Sequence, residues 1–167
     1  MIELNSKTQQ DFLNREWVQR LLNAGVDMSD AKYCLLNIPV DSVYKDYIDL
    51  NDFQSVDEEW RKRALLKIPT YTVSELLYKL HEYIYPIIDG EEYSGGLKFC
   101  KDAPFYIFYY ALKTKEYDPQ LQQGNYKEDY IYAEFEYPIE SLASLLIQCH
   151  QKDIGMNTKD TGNISDK

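Results

Sequence analysis

Histidine is almost missing from this sequence, with only His81 and His150 among 167 residues. A nucleophile usually needs a base beside it, so the chain offers little material for hydrolytic triads. His81 lies between Leu80 and Glu82, on the more polar side of an expected helix. His150 follows Cys149, but adjacent helical residues do not face one another. Cys149 therefore reads as a core thiol and His150 as a helix C-terminal residue favoured by the dipole. Cysteine is also scarce. Cys34, Cys100 and Cys149 are far apart and odd in number, with no C-x-x-C pair. That excludes a disulfide framework and a zinc knuckle, and it points to reduced thiols in a cytoplasmic compartment. No G-x-x-x-x-G-K-[ST] or G-x-G-x-x-G phosphate loop occurs. No apolar stretch approaches the roughly 20 residues of a membrane span. The opening MIELNSKTQQDF lacks the apolar core of a secretory signal.

Positive charge is in deficit. Lys and Arg number 18 against 28 Asp and Glu, a formal net charge of −10. There are 10 basic and 15 acidic residues through Asp89, and 8 and 13 beyond it, so each half carries −5 and no basic module hides behind an acidic tail. Gripping phosphates takes clustered Lys and Arg. The densest basic run, Arg61-Lys62-Arg63 with Lys67, follows Asp57-Glu58-Glu59 and reads as a solvated helix face paired at i,i+4 spacing. Asp41, Asp46, Asp49 and Asp52 lack the glycine and terminal glutamate of a calcium loop. They read as acidic surface, and no metal or cofactor is expected.

What the chain does have is aromatic side chains, 14% of all residues, with 16 tyrosines. Disordered chains are poor in these. A chain of this length buries about two thirds of its unfolded surface without staples. Hydrophobic periodicity predicts a helix over 9–23, capped by Thr8 and closed at Gly25, with Trp17 at the edge of its apolar face. Strands are expected over 31–40, ended by Pro39, and over 42–50. A short helix opens at Asp57 with Trp60, Ala64 and Leu65 inward, and stops at Pro69. Thr72 and Glu75 form a capping box flanked by Tyr71 and Leu76, starting a helix over 73–85. A turn at Gly95-Gly96 precedes a strand over 97–100, and Lys101–Pro104 forms the next turn. A central strand spans 105–112, a polar loop 113–128, and an alternating strand 129–136. A final helix begins at Pro138 and carries Ile139, Leu142, Ala143, Leu146 and Cys149 on its apolar stripe.

The expected class is α+β, an antiparallel sheet with helices packed on one face. A single domain spans 1–152, made of a helix-and-strand segment 1–69 and an αβββα half 70–152. Residues 153–167 form a polar tail. The helix–strand–strand–strand–helix order is similar to the double-stranded-RNA-binding fold. Those domains hold phosphates with basic residues, whereas the last helix here opens Tyr137-Pro138-Ile139-Glu140. The segments Glu16–Leu22, Ile68–Thr72 with Ser74–Leu77, and Pro138–Ala143 resemble recurring segments of uncharacterised small acidic proteins from gut-bacterial genomes and their phages. That resemblance implies a phage or mobile-element context and no chemistry.

The tyrosine surplus suggests a surface. Tyr106, Phe108, Tyr110, Tyr130 and Tyr132, with Glu134 and Glu136, form the candidate interaction face, because tyrosine is common at protein interfaces. The resulting expectation is a cytoplasmic, non-enzymatic accessory protein that binds a protein partner, without membrane contact. A nucleic-acid-binding module using the αβββα half is the alternative, disfavoured by the charge. An unfamiliar enzyme is the third reading.

Overall fold

A computed structural model of the protein describes residues 1–50, 58–114 and 127–152, apart from the side chains of Glu58 and Trp60. The expected tail 153–167, most of the polar loop, Asp52, Asp57 and the inward placement of Trp60 lie outside the described residues. The chain is α+β, with every strand pair antiparallel. It divides into two compact units, Met1–Leu76 and Leu77–Lys167, so the division falls inside a helix rather than at the 69/70 junction expected between the two segments.

The first unit holds β1 (Ile2–Glu3), α1 (Arg15–Asn23), β2 (Tyr33–Val40), β3 (Val43–Leu50), α2 (Glu58–Lys62), β4 (Leu66–Thr70) and the start of α3 (Val73–Lys79). Its sheet runs β1-β3-β2-β4. β2 lies between two partners and is buried over Cys34–Ile38, which is why its sequence is a nearly unbroken apolar run rather than an alternation. One face, with Cys34, Leu36 and Ile38, gathers Val40, Tyr47 and Ala64. The β2–β3 turn has positive φ at both Asp41 and Ser42, the signature of a two-residue hairpin turn of the primed type.

α1 is shorter than its periodicity predicts. Thr8 does not cap it. The Thr8 hydroxyl donates to the Glu3 carbonyl at 2.9 Å and accepts from the Asn5 amide. Asn14 caps instead, accepting from the Trp17 amide at 3.1 Å. Phe12 is drawn out of the helix into a bridge with Thr72. Trp17 is buried rather than at the edge, while Leu22 is exposed. At the other end the Val26 and Gly25 amides reach Leu21 and Leu22 carbonyls at 3.1 and 3.0 Å, and Gly25 has φ 84°. This is the left-handed closure expected at Gly25.

β4 was not legible as a strand. The run to Pro69 reads as helix, yet only Glu58–Lys62 is helical, and Pro69 lies within β4, opposite Cys34. β4 is an edge strand, where a residue without an amide hydrogen is tolerated. Pro39 likewise lies inside β2, beyond the stretch that β4 covers. Leu65, expected inward, is 67% exposed. The capping box of α3 is present. Glu75 accepts from the Thr72 amide at 2.9 Å, and Thr72 accepts from the Glu75 amide at 3.3 Å.

The second unit holds the end of α3, then β5 (Tyr83–Ile84), β6 (Ile87–Ile88), β7 (Glu91–Asp102), β8 (Phe105–Thr114), β9 (Glu128–Phe135) and α4 (Pro138–Gln151). α3 stops at Lys79 instead of reaching residue 85. The segment beyond is claimed by the sheet. The Glu82 carbonyl accepts from the Leu97 amide at 2.8 Å, and Tyr83 and Ile84 pair with Gly96 and Gly95. Leu80 and Ile84 stay buried, so the apolar spacing was real but served a helix turn followed by a strand. The sheet order is β5-β7-β8-β9, with β6 also on β7. α4 packs on β8 and β9. Its Ile139, Leu142, Ala143, Leu145, Leu146 and Cys149 are buried, each large apolar side chain contributing about 1.5–3 kcal/mol.

Gly95 and Gly96 do not form the expected turn. They sit within β7, and a Cβ on Gly95 would lie 2.1 Å from the Ala111 carbonyl oxygen. A Cβ on Gly96 would make ordinary contacts, with the Tyr83 ring at 3.4 Å and the Glu82 carbonyl oxygen at 3.6 Å. Glycine here marks close approach of two backbones. Gly95→Ala is expected to cost about 3 kcal/mol or more, because backbone rather than a side-chain tip must move, and Gly96→Ala under about 1 kcal/mol. Urea unfolding of the two variants measures the difference, and equal midpoints would refute the close approach.

Candidate functional site

The candidate surface is a question of which side chains share a face. Directly opposed residues in an antiparallel pair project to the same side of the sheet. Tyr106 opposes Phe135, Phe108 opposes Ala133, and Tyr110 opposes Ile131. On the other neighbour Phe108 opposes Phe99 and Tyr110 opposes Leu97. These residues share one face, which α4 covers over β8 and β9. Tyr130 opposes Ala111, Tyr132 opposes Tyr109, and Glu134 opposes Ile107, so they belong to the reverse face.

The seven expected residues are therefore not one surface. Tyr110 is 0% exposed and its hydroxyl donates to the His81 carbonyl at 2.6 Å. Burial raises its pKa well above the ordinary tyrosine value. It is a core residue. Tyr106 and Phe108 are half-buried in an aromatic cluster with the exposed Phe99, whose ring lies 4.9 Å from Phe108 and 6.2 Å from Tyr106. The Lys101 ammonium stands 5.0 Å from the Tyr106 ring centroid. Ser141 of α4 donates to the Tyr106 carbonyl at 2.6 Å.

Tyr130 and Tyr132 are 51% and 58% exposed, and Glu134 and Glu136 are exposed as well. Tyr130, Tyr132 and Glu134 form a stripe along β9. Tyr109 and Ile107, half-buried, stand behind it on the same face with Lys98 beyond Tyr109. Those three escaped the sequence reading. Period-two alternation in 105–112 marks two sets of side chains, but choosing the set that joins Tyr130 and Tyr132 needs the register.

The acids bear on the stripe directly. Tyr130 reaches Glu128 at 3.3 Å, and the Glu128 charge beside it, with a smaller share from desolvation, raises the Tyr130 phenol pKa. Glu128 also pairs with Lys113 at 3.5 Å. The Asp129 carboxylate accepts from the Tyr130 amide at 2.8 Å. The stripe is thus tyrosine framed by carboxylates.

Other clusters of polar groups are engaged in holding the fold. In the first unit Asp49 is buried and accepts from Arg61 Nε at 2.6 Å, while a second Arg61 nitrogen bonds the Leu50 carbonyl. Asp46 accepts from the buried Asn37 at 2.7 Å and pairs with Arg15 at 3.1 Å. Asp46 and Asp49, three residues apart on β3, project to opposite faces. Asp41 is exposed in the β2–β3 turn, so the three described aspartates do not converge. The Tyr71 hydroxyl donates to the Asp30 carboxylate at 2.6 Å, with the Asp27 carbonyl oxygen 3.0 Å away. Among the described residues no group of three or more His, Cys, Asp or Glu is placed to hold a metal ion, and no helix is long and apolar enough to cross a membrane. His150 is exposed at the end of α4, and Cys149 beside it is buried.

Comparison of the chain with protein-family models, curated proteins and solved structures returns no match.

The thiols yield a prediction. Cys100 is exposed, whereas Cys34 and Cys149 are buried. Burial pushes the Cys149 pKa up from 9.0 to about 11. It also raises that of Cys34, partly offset by Lys67 and Arg61. One thiol should react with iodoacetamide in the native protein at pH 8 and three after denaturation. Two fast native thiols would contradict the burial. Because the folded Cys149 thiol holds its proton more tightly than the unfolded one, its contribution is complete below about pH 9. It is lost as pH rises to about 11, up to about 3 kcal/mol. Tyr110, also raised by burial, adds to the fall above about pH 10. Cys149→Ala should flatten the slope of unfolding free energy between pH 9 and 11, whatever its effect at neutral pH.

Proposed function

We propose that this chain is a non-enzymatic accessory protein of a phage or mobile element. It binds a protein partner with a basic surface through the tyrosine–carboxylate stripe of β9. The observation that carries the reading is the joint exposure of Tyr130, Tyr132 and Glu134 on one face, flanked by Glu128 and Asp129. Tyrosine supplies large contact area at low entropic cost together with a hydroxyl for hydrogen bonding. The carboxylates supply sign. Complementary charge speeds encounter and excludes wrong partners more than it adds affinity, and a chain of net charge −10 attracts basic surfaces generally. The same carboxylates oppose a nucleic-acid backbone, whose phosphates require cations. The phage or mobile-element setting rests on the resemblance of the segments at Glu16–Leu22, Ile68–Thr72 with Ser74–Leu77, and Pro138–Ala143. The cytoplasm of the host cell is the matching location.

The test is capture from lysate of the producing or host cell, comparing the wild type with a Tyr132→Ser/Glu134→Lys double variant. Both positions are exposed, so the variant should fold with a stability change within about 1 kcal/mol. The expected result is a basic protein retained by the wild type at low salt, lost on the variant and weakened about tenfold or more at 0.5 M salt. Identical captured sets for the two proteins would refute the stripe as the binding surface. Nuclease-sensitive capture of nucleic acid alone would refute the protein partner.

A further inference from the structure

β9 is the terminal strand of its sheet, and among the described residues no strand pairs with its outer side. The Thr114 amide bonds the Lys127 carbonyl at 3.1 Å. Antiparallel ladders alternate between bonded and non-bonded pairs, so the odd-numbered residues of β9 turn their backbone groups to β8. Those of Tyr130, Tyr132 and Glu134 therefore turn outward. Two of these outward groups are already met by side chains. Asp129 takes the Tyr130 amide and Gln148 of α4 donates to the Tyr132 carbonyl, each at 2.8 Å. Both bonds are at the surface, where a main-chain partner can replace them. The amides of Tyr132 and Glu134 meet no acceptor among the described residues.

We infer that this edge takes an extended, lysine- or arginine-bearing segment of another protein as an added strand. The inference rests on the reading of the β9 stripe as a protein-binding surface and specifies how the partner is held. Charge selects the occupant. Glu128 and Asp129 open β9, Glu134 lies near its other end and Glu136 just beyond it, so pairing with a second copy of β9 sets acid against acid, which is destabilising. A basic strand reverses the sign at each contact. Main-chain hydrogen bonds then supply affinity, and side chains alternating onto the Tyr130–Tyr132–Glu134 face supply selectivity.

The experiment uses the full chain and a synthetic (Thr-Lys)4 peptide, blocked at both ends, at low salt. Amide exchange is followed residue by residue. Binding is expected to slow exchange at Tyr132 and Glu134 by about tenfold or more at saturation, leaving Ile131 and Ala133, already bonded to β8, unchanged. Methylating alternate peptide nitrogens in one phase should abolish binding, and the other phase should leave it intact. A (Thr-Glu)4 peptide should not bind. If both methylated phases bind alike, or the Tyr132 and Glu134 amides stay unprotected, strand addition is overturned while the stripe can still be a docking face. If (Thr-Lys)4 does not bind at all, strand addition is equally overturned, and the capture experiment alone decides the wider reading.

Discussion

The burial of one face of the β8–β9 pair beneath α4 governs what the second unit can present. Side chains on a strand alternate strictly, so covering one face commits every other residue to the core. Ile131, Ala133, Tyr110 and Leu112 are buried on the covered side. Tyr130, Tyr132 and Glu134 are left outside by the same geometry. A slip of one residue in the β8–β9 register would put Tyr109 and Ile107 under the helix and expose Tyr110. The exposed tyrosines of β9 are thus a consequence of packing on the other side of the sheet, and no special feature of their own is needed to display them.

That dependence explains what could be read from the chain and what could not. Elements announced by local chemistry were legible. Thr72 and Glu75 mark the start of α3, Gly25 the end of α1, and Pro138 the start of α4. Ends decided by distant partners were not. Nothing near Lys79 says that β7 will capture Tyr83 and Ile84, and nothing near Phe12 says that Thr72 will bridge it. Pro69 and Gly95-Gly96 misled for a related reason. Each is a breaker by propensity, yet an edge position accepts the proline and a close backbone contact demands a glycine. Propensity yields to tertiary context in these cases.

The candidate site failed in sequence at the same level. Five aromatic positions were grouped as one tyrosine-rich face; all are even-numbered, and even-numbered residues do share a face within either strand. Across β8 and β9, however, each directly opposed pair joins an even residue to an odd one, as Tyr109 to Tyr132. The pairing depends on the connection between the strands, and β8 ends at Thr114 while β9 begins only at Glu128, so no two-residue turn such as Asp89-Gly90, with positive φ at both residues, sets the register locally. Tyr106, Phe108 and Tyr110 therefore left the site, and Tyr109, Ile107 and Lys98 entered it.

The acidic framing of β9 has a structural consequence as well as a functional one. An edge strand with exposed aromatic side chains is a template for aggregation unless something interrupts it. Here Asp129 occupies one outward amide, Gln148 occupies one outward carbonyl, and like charges at both ends repel a second copy. These devices do not act equally on all comers. The two side-chain hydrogen bonds cost about 1 kcal/mol each to exchange for main-chain ones, while the charge distinguishes partners by sign. On the proposed strand addition, an edge so built discourages its own kind and admits a strand of opposite charge. Resistance to self-pairing and the proposed selectivity then rest on the same four carboxylates.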